Sequence, residues 1–368
     1  MITEMLMDGH KLAWHMDRVR AWDRGERIAP ILIDMALTRR CDARCRFCYA
    51  SLQANEGYTI TEQIMDNFLE DCARMGVLAI TFGGDGESVL SPAFVPAIQR
   101  AASLGIKTAL NSNCHMYLPY RQNATLKHLS YVRINFPAGT PKGYYDIMQV
   151  SPRFRDRTIQ NIQYMVQLKQ RDNLSVSLGL QMVLTPDNGE EIIPFVELGR
   201  ALGVDYSVIK HCADDEKGSL GIDFEKYKPL IPLLKEAEGY TTENYGVQIM
   251  WSKLLKPDTI PYQRCYGAPF IIQISGTGLV AACGHKFGPE YIRFHLGNIC
   301  TERWWDIWRN DRYWEVMRYM ASPEFNAQTM CGSLCRNCKI NESLDAHKKG
   351  FSISQGVPGL EPKHIEFI

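Results

Sequence analysis

The chain has 368 residues, and its 41 lysines and arginines balance 41 aspartates and glutamates. Balanced charge offers no field for nucleic acid or an anionic membrane, and no apolar run approaches the ~20 residues that span a bilayer. Residues 1–30 mix charges with aromatics and lack the apolar core of a signal peptide. The expected setting is the cytoplasm, where thiols stay reduced, so the twelve cysteines read as ligands or reactive groups rather than disulfides.

In chain order, "ILIDMAL" from Ile31 reads as a strand running into "RRCDARCRFCYASL", where Cys41, Cys45 and Cys48 stand at C-x3-C-x2-C spacing. A structural zinc site is closed by four ligands, and His10, His15 and His115 are distant in sequence. An iron–sulfur cubane held by three thiolates keeps one iron open, and an open iron is a place for chemistry. "TITEQIMDNFLEDCARMG" has helical periodicity, with Thr61 as N-cap, Gly76 as closing residue and Cys72 on its core face. "VLAITFGG" is a second strand ending in a glycine-rich loop, which taken alone is more often a tight turn than a site. Strands follow at "IKTALNSN", "HLSYVRINF", "SVSLGLQMVLT" and "VDYSVIKH", with helical stretches such as "SPAFVPAIQRAASLG" and "RFRDRTIQNIQYMVQLKQRDN" between them. This alternation predicts an α/β fold, a partial (β/α)6 barrel over residues 31–212, with its chemistry at the C-terminal strand ends.

Beyond the barrel, residues 213–262 read as a bridging segment of loop and short helices. Residues 263–345 read as a small domain, a β-hairpin between Cys265 and Cys283 followed by an aromatic helix and "MCGSLCRNCKI" with Cys331, Cys335 and Cys338. A tail, 346–368, ends the chain, and 1–30 is an N-terminal extension. Trp304, Trp305, Trp308 and Trp314 recur at helical spacing and read as packing. Paired cysteines plus a C-x2-C also fit a zinc ribbon, so a non-catalytic zinc-ribbon binding module on a barrel is the alternative from a different class.

The cysteine trio, with Phe47 before its last member, resembles the signature of the radical S-adenosylmethionine enzymes. The resemblance implies a 4Fe–4S cluster on Cys41, Cys45 and Cys48 whose open iron is chelated by S-adenosylmethionine. One-electron cleavage then gives a 5′-deoxyadenosyl radical that abstracts a hydrogen atom. Gly84, Asp85, Gly86 and Glu87 are similar to the family's Gly-Gly-Glu segment for the methionine amino group, although Asp85 replaces a usual glycine and Ser88 a usual proline. By the same likeness Ser112 and Asn113, in Asn111–Asn113, meet ribose or carboxylate, Asn135 stands where members place a serine, and Val183 packs on adenine.

The C-terminal part resembles the SPASM extension or its shortened twitch form. That implies an auxiliary cluster on Cys265, Cys283, Cys335 and Cys338, with Cys331 spare or exchanging roles with Cys335. The implied cofactors are two 4Fe–4S clusters and S-adenosylmethionine, with a reducing partner such as flavodoxin or ferredoxin. Enzymes with this extension modify small carbohydrates and cyclitols or mature ribosomal peptides. The N-terminal extension is too short for a leader-binding domain, so the expected substrate is a small carbohydrate-, cyclitol- or natural-product-like molecule, with a peptide second. The expected reaction is dehydrogenation or epimerisation. Lys210 and His211 end strand six and should face the mouth for proton handling, although solvent contact is the commoner role of such a pair. Cys331 first, then Cys300, Cys212 and Cys114, are the thiols to consider as hydrogen-atom donors.

Overall fold

The computed structural model describes residues 9–212, 214–254, 260–332 and 335–368. Ten strands make one open sheet in the order β10-β9-β8-β1-β2-β3-β4-β5-β6-β7. They are β1 (Leu32–Met35), β2 (Ala79–Phe82), β3 (Lys107–Ser112), β4 (Leu129–Asn135) and β5 (Ser177–Leu184), then β6 (Tyr206–His211), β7 (Gly246–Ile249), β8 (Ile271–Ile274), β9 (Leu279–Ala281) and β10 (His295–Asn298). Strands β1 to β7 pair in parallel in sequence order, and β8 is parallel to the free side of β1. This is the α/β partial barrel that the alternation predicts, with two differences. The segment 213–262 contributes a seventh parallel strand, β7, and the helix Ile231–Glu238. The cysteine-bearing hairpin is also not a separate sheet, because "FIIQI" is apolar enough to fill the open edge of β1, and β9 and β10 extend it antiparallel.

Local signals set the helices. Thr61 Oγ1 accepts from Ile64 N at 3.3 Å and Gly76 closes the same helix, Glu62–Met75, in the left-handed region at φ 82°. The aromatic run is two helices, Trp304–Arg309 and Asp311–Ala321, because Asn310 turns extended and caps Arg312 N at 2.9 Å. Trp304 is buried against Phe68 and Tyr313, which bears out its packing role.

Strand side chains alternate between faces, and the two faces differ sharply. Outward, Ile33, Met35, Ile80, Phe82, Val132 and Ile134 join the helices in one aliphatic core, each such side chain stabilising by about 1.5–3 kcal/mol on burial. Inward, the register aligns Asn111 with Arg133, Asn135 with Gln181, and Val183 with Lys210. Asp34 lies on the same face of β1, in register with Thr81 and through it Ala109. The lumen wall is therefore polar from its middle upward. Its floor is apolar: Leu32, Ala79, Ala109 and Tyr131 pack with Leu12, Val19, Phe367 and Ile368. Lys11 Nζ donates to the carbonyls of Lys363, His364 and Phe367 at 3.1, 2.7 and 3.1 Å. The N-terminal extension and the tail thus close the barrel bottom together.

Candidate active site

The loop after β1 is held in place by close backbone approaches. A Cβ at Gly86 would overlap the Thr38 carbonyl oxygen, and one at Gly276 would overlap the Thr38 carbonyl carbon, so two glycines clasp the Thr38 carbonyl. The loop then docks on the end of the helix Pro141–Met148, with Arg44 N donating to Met148 O at 3.1 Å and Arg46 N to Ile147 O at 3.0 Å. Cys45 Sγ lies 3.3 Å from Met148 Sδ, and Asn113 Nδ2 lies 3.8 Å from Cys41 Sγ and donates to Asp42 Oδ1 at 2.7 Å. Burial pushes the Cys41 thiol up to about 12 and the Cys45 thiol higher still. Thiols crowded where their anions are costly suit a cationic metal centre, which deprotonates its ligands outright. The donor set fits a cluster.

The loop after β2 does two jobs. Glu87 is buried and accepts from Asn113 N at 2.8 Å, Ser112 Oγ at 2.9 Å and Val89 N at 3.2 Å. Those bonds use most of the roughly four acceptor sites of a carboxylate, so Glu87 positions Asn113 as well as facing any ammonium. Burial raises its carboxyl to about 7. Asp85 departs from the expected cofactor contact. Its carboxylate accepts from Ser275 Oγ at 2.6 Å, Gly276 N at 2.9 Å and Asn55 Nδ2 at 3.3 Å, so its side chain ties the β2 loop to the β8–β9 turn. At the ends of β3 and β4, Asn111 Oδ1 and Asn135 Oδ1 are buried acceptors without a partner among the described residues. A hydroxyl- and ammonium-rich cofactor would satisfy them.

The second cysteine group gathers where β8, β9 and the helix Cys338–Lys348 meet. Asn341 Nδ2 is 3.5 Å from Cys265 Sγ and 3.6 Å from Cys335 Sγ. Burial and then Cys335 push Cys283 up to about 11. Cys331 is not set apart: burial and then the thiols of Cys335, Cys265 and Cys283 push it well up. Cys338 instead points to Glu342 Oε1 at 3.4 Å. Among the described residues no three Cys, His, Asp or Glu side chains converge closely enough for a single metal ion, and a four-iron cluster is wider than one ion. The two groups touch through aromatic rings. Tyr49, next to Cys48, packs on His285 at 4.3 Å between centroids and donates to its carbonyl at 3.1 Å, while Gln53 bonds Gly284 O and Phe287 N. A cavity of about 620 Å³ is lined by Thr38, Arg39, Gln53, Asn55 and Gly276 but by no cysteine. None of its lining residues belongs to a strand.

Residues 35–199 match the family model of the Radical SAM superfamily, and residues 265–339 match that of the SPASM iron–sulfur cluster-binding domain. The chain carries a radical S-adenosylmethionine domain followed by a SPASM domain. It is similar to an S-adenosylmethionine-dependent nucleotide dehydratase of Pseudoalteromonas ulvae, at 27% identity over 128 residues. That match covers 30% of this chain and spans 42% of the dehydratase's length. It is 20% identical over 327 residues to the tungsten-containing aldehyde ferredoxin oxidoreductase cofactor-modifying protein of Pyrococcus furiosus, covering 84% of this chain and 88% of that protein. Its fold matches Streptococcus suis SuiB bound to S-adenosylmethionine, with TM-score 0.61, 16% identity and coverage of 83% of this chain and 72% of SuiB. SuiB bound to the precursor peptide SuiA gives TM-score 0.62 at 14% identity, covering 95% and 79%. No helix among the described residues is long and apolar enough to cross a membrane.

Within this radical S-adenosylmethionine fold the remaining predicted residues separate. Val183 is buried at the inner end of β5, and Phe47 is half-buried against the core. Alternation places Lys210 on the inner face beside Val183, but turns His211 outward between Phe224 and Tyr227, at 5.5 and 6.4 Å between ring centroids. The two do not share the mouth, because neighbours on a strand face opposite ways. Cys114 and Cys212 are fully buried, and Cys300 Sγ turns to Thr277 O. Two features escaped sequence reasoning. The Tyr49–His285 bridge leaves no sequence signal. Arg133 does: Tyr131, Arg133 and Asn135 repeat at the two-residue period of one strand face.

Proposed function

We propose that this enzyme is an oxidoreductase that removes a hydrogen atom from a small carbohydrate-, cyclitol- or natural-product-like molecule held in the barrel lumen. Cys41, Cys45 and Cys48 would hold the first cluster, and Cys265, Cys283, Cys335 and Cys338 an auxiliary one. When bound, the clusters and S-adenosylmethionine supply one-electron cleavage to a 5′-deoxyadenosyl radical and a sink for the substrate's electron. The chain's residues do the rest. Gly84, Gly86 and Glu87 shape the methionine end, and Ser112, Asn113 and Asn135 offer polar contacts. Lys210 holds or gives a proton at Nζ: burial, then Lys253, Arg133 and Arg336, push it down to about 7.

The observation that carries this reading is the polar inner face, where Asn111 pairs in register with Arg133 and Asn135 with Gln181, and Lys210 stands beside Val183. Such a wall suits a compact substrate with many hydrogen-bonding groups. The names of the two relatives refer to a nucleotide and to an enzyme cofactor, which also supports a small-molecule substrate. The contact of the two cysteine loops through Tyr49 and His285 supports dehydrogenation, since it would link an exit for the electron to its entrance. The test is 5′-deoxyadenosine release by anaerobically reconstituted protein with a substrate panel in deuterated water. Product two electrons more oxidised supports dehydrogenation. Product at unchanged oxidation level with one solvent deuterium makes the enzyme an epimerase. Stimulation only by peptides would replace the small-molecule reading by a maturase.

A further inference from the structure

The lumen holds more positive charge than its walls balance. Arg133 projects inward from the middle of β4, its Nε 3.5 Å from Tyr206 Oη and its guanidinium 5.1 Å from the Tyr131 ring centroid. Arg336, between Cys335 and Cys338, reaches into the barrel and bonds Asp34 Oδ2 at 2.8 Å, yet keeps 36% of its side chain exposed. That exposure, beside a residue in the middle of β1, leaves part of the guanidinium accessible to a ligand. Lys210 stands two inward-facing positions higher on β6 than the level of Arg133 and makes no hydrogen bond or ion pair among the described residues. Of all residues in the eight parallel strands, Asp34 is the only acidic one. Lys253, on the short helix Trp251–Leu254 that follows β7, adds its field to Lys210.

Like charges gathered in a partly desolvated space repel, and the repulsion is weakly screened there. Lys210 records this repulsion, being pushed down by burial and then by Lys253, Arg133 and Arg336. A fold keeps such an arrangement at a cost in stability, which a bound anion would offset. The cations also sit at a telling depth. Arg133 is in register with Asn111 and lies two residues below Asn135, beneath the strand ends proposed for S-adenosylmethionine. With Arg336 paired to Asp34 the three cations leave two excess charges, and a monocarboxylate would neutralise only one of them. A phosphoryl group carries nearly two charges, and its oxygens suit the fork of a guanidinium.

We propose that the lumen is a phosphoryl-binding site, formed by Arg133, Lys210 and Arg336, and that the substrate of this enzyme is a phosphorylated small molecule. The assignment rests on the small-molecule reading above and narrows it. Arg336 gives the site a link to the SPASM domain, since the residue that meets the anion is flanked by two of the proposed auxiliary ligands.

The experiment is calorimetric titration of the reconstituted, S-adenosylmethionine-loaded full chain with inorganic pyrophosphate at constant ionic strength. Saturable binding is expected, weakened at least tenfold in Lys210→Gln and in Arg133→Gln, with S-adenosylmethionine affinity unchanged. Binding at pH 8 should also take up a proton, read from the buffer dependence of the heat, because the anion restores the Lys210 ammonium. If Arg133→Gln does not fold, Lys210→Gln decides alone, since that side chain is a partly exposed one on the lumen wall. Three results would overturn the proposal: no saturable binding, affinity untouched by the variants, or displacement of pyrophosphate by S-adenosylmethionine. The last would assign the cations to the cofactor's own carboxylate. Loss of S-adenosylmethionine cleavage in wild type would sink the broader functional reading whatever pyrophosphate does, so the two failures are told apart.

Discussion

Cys41, Cys45 and Cys48 come from one loop after a single strand, whereas the other thiols come from three separate stretches between residues 265 and 338. The first group needs only one loop to be held still, and three neighbours hold it: the clasping glycines, Asn113, and the end of the helix Pro141–Met148. The second needs β8, β9 and the helix Cys338–Lys348 to be in place before its thiols meet. A three-thiol loop can be opened to a cofactor without disturbing the fold. A set of thiols drawn from distant segments is also a staple. The difference predicts that changes at the first group damage chemistry, and changes at the second damage chemistry and stability together.

The largest expected effect is at the first group. Replacing Cys41, Cys45 and Cys48 by alanine should halve the iron from about eight atoms per chain and abolish S-adenosylmethionine cleavage while leaving thermal unfolding nearly unchanged. Iron at zero, or surviving cleavage, would show that the two groups are not independent. Next comes Cys338→Ala against Cys331→Ala. If Cys265, Cys283, Cys335 and Cys338 are the ligands, Cys338→Ala loses half the iron, lowers the melting temperature and stops product while 5′-deoxyadenosine is still released. Iron loss in Cys331→Ala instead would put Cys331, which shares the field of three neighbouring thiols, into the ligand set.

A smaller effect tests the cofactor loop. Glu87, raised from 4.5 to about 7 by burial, binds its proton more tightly folded than unfolded. Its contribution therefore lowers stability as pH rises from 4.5 to about 7, and Glu87→Gln should flatten that fall in a series of melting curves. If its carboxylate holds the methionine ammonium, S-adenosylmethionine should bind more tightly as pH rises through about 7, and the variant should lose that dependence. The smallest effect concerns the seam between the regions. Asp85→Ala leaves the buried Gly276 N–H unpaired, which costs about 1–3 kcal/mol, measurable by denaturant unfolding at unchanged iron content.

Much of the fold was legible because its signals are local. The βα alternation, the Thr61 and Gly76 caps and the Trp304 packing all follow from nearest neighbours in sequence. The β8–β1 pairing was not legible, because a four-residue apolar strand carries no mark of its partner. The strand β7 was missed for a related reason: "GVQI" is short and follows a helical stretch. At the site, spacing singled out the cysteine trio and the loop after β2, but side-chain direction had to come from the structure. The period-two rule could have separated Lys210 from His211 in advance. It could not have turned Asp85 toward a turn nearly two hundred positions away, since that contact is made only when the sheet is complete.

The pairing of β8 with β1 also has a consequence for how the chain reaches its native state. Strand β1 leaves the ribosome well before β8, so its second edge stays unpaired until residues 271–274 have been made. Contacts that join such distant positions slow folding, because a long loop must close before they form. Until then "LIDM" presents free amides and carbonyls along one side, the kind of edge that recruits strands from other chains. Lowering the synthesis temperature or supplying a chaperone during expression should therefore raise the yield of native protein more than any change to the iron supply.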